Sequence, residues 1–401
     1  MSLERVCYDC GRRTAEPVAR CDCGEPLWLA TDPGSFDWDD VADAPGLWRY
    51  ESLLPVVPDP LDGLATAAGD TPLFGAPELD AFAGVRTHVK VEGQQPTGSF
   101  KDRGSALGLA AVREGAVGDV DAVGTVSHGN MAMSTAAFAA AAGVPCTVLV
   151  PADIPEERLG IIAQYDPTLL RVEGDYGRLY RRSLELGPER GVAFLNSDAP
   201  LRVEGQKTTA VEICEAFAPD VPDAVVLPVS SGGHASGAWK ALRELRAAGT
   251  IDDIPPLYLV QAAACAPIAE AFAAGDDAVT PVEGGDTIAY SIANADPPSG
   301  TRALRAARDT GGGALAVDDD AIRAAQRALA TEAGLSAESA SAVALAGARR
   351  LAEGGELSSG DDVVVVVTGT GLKLSGGAAS VPTVSIDELD AELAGAGERA
   401  P

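Results

Sequence analysis

The chain is predicted to be an α/β protein with doubly wound parallel sheets and a small cysteine-bearing unit at its N-terminus. Three observations predict it. Short apolar runs alternate with Ala-rich helical stretches; several of those runs end in Gly-rich polar loops; and four of the seven cysteines crowd into the first two dozen residues. At 401 residues, nearly half of them apolar, the chain is long enough for two ordinary domains and an appendage.

Residues 1–30 carry Cys7-Tyr-Asp-Cys10-Gly and Cys21-Asp-Cys23-Gly. Each pair with its following glycine predicts a knuckle, and the four thiolates of Cys7, Cys10, Cys21 and Cys23 predict a closed structural zinc site of zinc-ribbon type. The second pair is C-x-C rather than C-x-x-C, which leaves a metal-free remnant as the alternative. Residues 31–70, rich in Asp, Pro and Trp, are expected to form an irregular connecting arm.

Beyond the arm, strand-like and helical runs follow in order: VRTHVKV then GSALGLAAVREG; DAVGTVS then NMAMSTAAFAAAAG; CTVLVP then EERLGIIAQY; TLLRVEG then YGRLYRRSLELG; VAFLN; DAVVLPVS then GAWKALRELRAAG; PLYLVQA; and DVVVVVTG. Strands separated by helices make parallel βαβ units. We expect a large domain from 71–119 and 206–380, a smaller one from 120–205, and an acidic tail over 381–401.

The formal charge of −29 argues against nucleic acid as a partner, because phosphates are repelled. Such an acidic shell suits a very salty cytoplasm, where screening shortens to about 3 Å at 1 M salt. The N-terminus carries no apolar run of signal-peptide length, and the most apolar segment, VVVVV at 363–367, is strand-sized, so neither secretion nor membrane association is expected and the protein is read as cytoplasmic. Cys146, Cys214 and Cys265 stand singly, and no disulfide framework is expected.

In an open α/β sheet, ligands collect where strands end. Four such loops stand out. PTGSFKDRG places Lys101 near a helix start, in a chain with only five lysines. SHGN at 127–130 offers an amide. SSGGHASG at 230–237 precedes a helix and can cradle a phosphate. TGTGLK at 368–373 follows the valine strand and offers a neutral hydroxyl. An amine nucleophile, an amide, a phosphate cradle and a hydroxyl donor together match pyridoxal phosphate.

EGQQPTGSFKDRG resembles the lysine motif of threonine synthases among the fold type II pyridoxal-phosphate enzymes, N-P-T-G-S-F-K-D-R-G, with Gln95 in place of the asparagine. NSDAPLRVEGQKTTAVEI at 196–213, SSGGHASGAWK and VVVVTGTGLK are similar to further family motifs. The resemblance implies two α/β domains enclosing the cofactor, with Lys101 as the Schiff-base lysine, Asn130 on the ring hydroxyl, Ser230, Ser231, Gly232, Gly233, His234 and Ala235 on the cofactor phosphate, and Thr368 at the pyridine nitrogen. It implies substrate contacts from Ser127, Asn196 and Arg202, and conversion of O-phosphohomoserine and water to threonine and phosphate.

The other readings of these residues are an ion pair at the surface for Arg202 and a turn-capping amide for Asn196. His128 departs from the family pattern and reads either as a solvated loop residue or as a substrate-facing donor. Asp198-Ala199 also departs from it. A cysteate synthase on phosphoserine, a threonine or serine dehydratase, and a non-catalytic scaffold on the same fold remain as alternatives. The expected partners are a small, phosphorylated amino-acid substrate and a second copy of the chain in a homodimer.

Overall fold

A computed structural model describes residues 3–127, 129–152, 154, 156–373, 383–386 and 389. His128 and most of the expected tail lie outside the described residues.

The N-terminal unit is an antiparallel sheet of β1 (Arg5–Cys7), β2 (Arg13–Thr14) and β3 (Leu27–Leu29), in the order β2-β1-β3. The arm that follows is built of 3-10 turns, including Gly46–Leu53, and it does more than connect. Leu47, Trp48 and Tyr50 are fully buried, and the Trp48 indole donates to the Ala65 carbonyl. Pro and Asp keep this stretch out of regular structure while its large side chains fill the core beside both sheets.

The large sheet takes β4 (Leu73–Gly75), β5 (Arg86–Val91), β10 (Ala224–Pro228), β11 (Leu257–Ala262), β12 (Gly313–Val317) and β13 (Asp362–Val367) in the order β12-β11-β10-β13-β5-β4. All pairings are parallel except that of β4 with β5. Strand β13 is central and buried on both faces, which is why it reads as unbroken valine. The smaller sheet, wholly parallel, is β6 (Ala122–Val126), β7 (Cys146–Pro151), β8 (Thr168–Val172) and β9 (Val192–Phe194), ordered β8-β7-β6-β9.

The helices are α1 (Asp80–Ala83), α2 (Lys101–Arg113), α3 (Asn130–Ala142), α4 (Glu156–Ala163), α5 (Tyr176–Glu189), α6 (Pro200–Phe217), α7 (Gly233–Ala248), α8 (Pro267–Ala274), α9 (Gly300–Asp309), α10 (Asp319–Thr331) and α11 (Ser339–Gly354). Helix α6 starts on a proline, whose missing N–H is harmless at a first turn, and packs on α2 and α7. The expected domain boundary at 205/206 falls inside it. Its period was hidden because 15 of its 18 residues are buried, Arg202, Glu204, Gln206, Lys207 and Glu212 among them, so no polar stripe marks a solvent face. Strand β12 and helices α8 to α11, between PLYLVQA and DVVVVVTG, are further elements without a counterpart in the sequence reading.

None of the five lysines is exposed. Lys207 and Lys240 alternate with Glu204 and Glu244 in a buried square that joins α6 to α7. Among the described residues, the exposed basic side chains are arginines.

Candidate active site

Three of the four loops lie at the carboxyl ends of large-sheet strands, after β5, β10 and β13, and Asn130, beyond β6 of the smaller sheet, meets them through Lys373. Main-chain bonds zip the lysine loop to the loop after β13: Phe100 N donates to Thr368 O at 3.0 Å, Thr370 N donates to Gly98 O at 2.9 Å, and Ser99 bridges Gly369. The loop is also held from within. The Asp102 carboxylate accepts from the amide and the hydroxyl of Thr97 at 2.7 and 2.6 Å. Gln95, the residue standing where the family motif has asparagine, accepts from Gly69 N and donates to Glu92.

A buried charge cluster anchors this loop to the body of the protein. Arg103 bonds Glu92 through Nε and Nη2, each at 2.8 Å, and Glu212 through Nη1 and Nη2 at 2.5 and 2.6 Å, while Lys90 reaches Glu212 at 2.5 Å. Burial pushes the Glu92 carboxyl up, but Arg103 beside it outweighs this and holds it down at about 2. Sequence reasoning missed Glu92, Arg103 and Glu212. All three lay in stretches already singled out, Glu92 and Arg103 in EGQQPTGSFKDRG and Glu212 in NSDAPLRVEGQKTTAVEI, but the 120 positions between Glu92 and Glu212 hid their pairing through Arg103.

Lys101 opens α2, with its amine 4.2 Å from the centre of the Phe100 ring. Burial, and after it the charge of Arg202, lower its pKa to about 7 against the opposing pull of Glu338. A large fraction of the amine is therefore neutral, the form that attacks a carbonyl. The Phe100 ring in turn stacks on His234 at 4.1 Å, so one aromatic contact joins the lysine to the SSGGHASG loop.

That loop turns into α7 at Gly232, whose φ of 88° is left-handed. A Cβ on Gly232 would lie 2.4 Å from Ser299 O, and one on Gly233 2.4 Å from Ser197 O, so only glycines let the chain pass. His234 is buried and kept neutral, its pKa pushed down to about 3 by burial; Nε2 meets Thr209 Oγ1 at 3.1 Å and Nδ1 has no partner. Amides at a long helix start, a spare imidazole nitrogen and a reactive lysine fit a phosphorylated aldehyde. Across the site, Thr368 Oγ1 pairs with Ser341 Oγ at 3.0 Å.

Asn130 begins α3, and its amide is engaged on both sides: Nδ2 donates to Glu338 at 2.8 Å and Oδ1 accepts from Lys373 at 2.7 Å. Glu338 and Lys373 are site residues that the sequence reading passed over. Lys373 lay in the TGTGLK motif, while Glu338 had no signal. Ser127 follows β6 directly and its hydroxyl accepts from Gly129 N. Asn196 is fully buried and braces the smaller sheet, accepting from Val126 N at 2.9 Å and donating to Ser183 Oγ at 3.0 Å.

The surface ion pair considered for Arg202 is not what the structure contains. Arg202 is fully buried, and its guanidinium donates to three neutral oxygens: Ser105 Oγ at 3.0 Å, Thr135 Oγ1 at 3.4 Å and Lys101 O at 3.0 Å. Its Nε has no partner. Burial lowers its pKa to about 10, so it stays charged near neutrality. A buried cation that bonds only neutral acceptors, with the Asp102 charge near but not bonded to it, is costly and is poised for an anion.

About the N-terminal unit, the four sulfurs of Cys7, Cys10, Cys21 and Cys23 lie within 4.8 Å of one another. Gly11 N donates to Cys7 O and Gly24 N to Cys21 O, so the C-x-C pair closes its turn as the C-x-x-C pair does. The unit docks on the helix that carries the glycine loop: Trp28 donates to Ser236 at 2.8 Å, and Arg302 of α9 donates to Leu27 O. No helix among the described residues is long and apolar enough to cross a membrane.

Residues 64–369 match the family described as pyridoxal-phosphate dependent enzyme. The chain is 36% identical over 383 residues to threonine synthase of Methanocaldococcus jannaschii, covering 92% of each chain. It is 35% identical over 377 residues to threonine synthase of Methanosarcina acetivorans, covering 92% of this chain and 91% of that one. Among solved structures, the processed form of threonine deaminase isoform 2 from Solanum lycopersicum superposes with a TM-score of 0.64 at 22% identity, over 92% of this chain and 97% of the other, a likeness of fold. With a neutral lysine amine, a glycine cradle at a helix start and relatives matched along almost their whole length, the chain belongs to the pyridoxal-phosphate dependent enzymes, within the threonine synthase family.

Proposed function

We propose that this chain is a threonine synthase, an enzyme that converts O-phosphohomoserine and water to threonine and phosphate. The observation that carries the reading is its likeness to threonine synthases of two archaea over more than nine-tenths of each chain.

In this reading the amine of Lys101 holds the cofactor, residues 230–235 take its phosphate, Asn130 serves its ring hydroxyl and Thr368 its pyridine nitrogen. When bound, pyridoxal phosphate supplies an electron sink for carbanions next to the substrate nitrogen. A hydroxyl at the pyridine nitrogen, unlike a carboxylate, leaves that nitrogen unprotonated and moderates the sink. Lys101, released as a neutral amine, moves protons at the substrate carbons, a role supported by its lowered pKa. Arg202 is the anion holder we assign to the substrate phosphate, with Ser127 and Asn196 ordering the neighbouring loop and strand end. Phosphate is a good match for a buried guanidinium without a carboxylate.

The four-sulfur cluster is assigned to a structural zinc ion, since thiolates at all four tetrahedral positions leave none for substrate. The acidic, arginine-only surface is assigned to work at high salt. A homodimer is part of the same proposal.

The deciding experiment supplies the purified enzyme with O-phosphohomoserine, with phosphoserine plus sulfite, and with free threonine or serine, and identifies the products. Threonine and phosphate in equal amounts from the first are expected. Turnover of the unphosphorylated amino acids alone would transfer the protein to the dehydratases.

A further inference from the structure

Gln206 of α6 is fully buried, yet neither its carboxamide oxygen nor its nitrogen has a hydrogen-bond partner. Burying an amide with no hydrogen-bond partner carries its full desolvation cost, so an interior glutamine with both ends idle calls for a ligand. Its oxygen lies 3.5 Å from where a Cβ on Gly233 would stand, at the first turn of the 16-residue helix α7. The two helices touch closely there, since a Cβ on Gly237 would meet Val203 O at 2.9 Å and Lys207 N at 3.0 Å. The Gln206 carboxamide is thereby held beside the free amides of the helix start, with no side chain between it and Gly233. His234, the next residue, adds the unpartnered Nδ1.

We propose that Gln206 is an anion-binding residue of this loop, donating through its amide nitrogen to a phosphate seated on the first turn of α7. The inference rests on the reading that pyridoxal phosphate binds at this site, and extends its phosphate cradle from the loop to α6. The assignment of oxygen and nitrogen exchanges by a half-turn of the terminal amide, so either end can present the donor. A neutral donor is suited to this place. Lys207 and Lys240 close by are already matched by Glu204 and Glu244, and a further buried cation would have no partner when the anion leaves.

The test compares the cofactor-free protein with its Gln206→Leu and Gln206→Met variants, titrated with pyridoxal phosphate and with unphosphorylated pyridoxal and followed by visible absorbance. Loss of one hydrogen bond to a charged group should weaken capture of pyridoxal phosphate about 10- to 100-fold and leave capture of pyridoxal unchanged. The cofactor-free variants should also melt at a higher temperature than the parent, because the unpaired amide is gone. Two variants of different shape are used so that one that fails to fold does not end the comparison. Equal affinity of parent and variants for pyridoxal phosphate, or equal weakening for both aldehydes, overturns the assignment. A parent that captures neither aldehyde overturns the cofactor reading itself, which separates the two failures.

Discussion

The guanidinium of Arg202 donates to the main-chain carbonyl of Lys101 across 3.0 Å. The bond ties α6 to the first residue of α2 and sets a buried positive charge behind the reactive amine. Arg202→Met keeps most of the volume and removes the charge. The substrate efficiency with O-phosphohomoserine should fall about 30- to 1000-fold, the equivalent of 2–4 kcal/mol of lost phosphate binding. The Lys101 ammonium, freed from a neighbouring cation, should titrate at higher pH. Unchanged efficiency, measured at saturating cofactor, would remove Arg202 from the substrate site.

Glu338 acts on the same amine with the opposite sign. Its carboxylate favours the charged form of Lys101 and also holds Asn130 and Lys373. Glu338→Gln should therefore move the pH midpoint of cofactor capture downward, while Arg202→Met moves it upward. An unmoved midpoint in both variants would show that the amine is tuned by burial alone.

Capture of pyridoxal phosphate by the parent should itself be pH-dependent. With the Lys101 pKa at about 7, the neutral fraction rises roughly tenfold between about pH 6 and 8, and the capture rate should rise with it until the cofactor's own groups titrate. Stopped-flow absorbance provides the rate. Capture that keeps rising about tenfold per pH unit and levels off only near about pH 10 would indicate a lysine at its ordinary pKa. Lys101→Ala should abolish both turnover and the yellow absorbance, with melting behaviour retained.

Glu92→Gln should destabilise the protein by about 3–5 kcal/mol, because it leaves Arg103 with only part of its buried negative charge. The linkage has a definite sign. The folded-state pKa of Glu92 is held at about 2, below the unfolded value of about 4.3, so its contribution is complete above the unfolded pKa and is lost as pH falls towards 2. Denaturant unfolding of parent and variant at several acid pH values should show the difference between them shrinking across that window. A constant difference would place the effect in packing.

One zinc per chain is expected by elemental analysis of the purified protein. Its removal by a chelator should lower the melting temperature without releasing the cofactor, since four thiolates make a structural site. Trp28 and Trp239 lie 4.9 Å apart at the docking surface of the unit, so their fluorescence should report the loss. Metal-free protein of undiminished stability would argue for a cysteine remnant.

Much of this protein was decided along the chain. The alternation of apolar runs with Ala-rich stretches determined parallel βαβ units, the all-valine run determined a strand buried on both faces, and the glycines after strands marked where a ligand would sit. These are local properties, set by side-chain period and by backbone freedom at glycine. The order of strands in the large sheet was not local, because β13 lies between β10 and β5 only after the intervening helices have packed. Nor were the buried charges. Glu92, Arg103 and Glu212 look in the sequence like ordinary surface residues, and Arg202 reads there as a holder of the substrate phosphate or, alternatively, as half of a surface ion pair. Whether a charge is paired, buried or left waiting for an anion depends on what comes within 3 Å of it and how much water is removed, and only the tertiary structure brings those partners together.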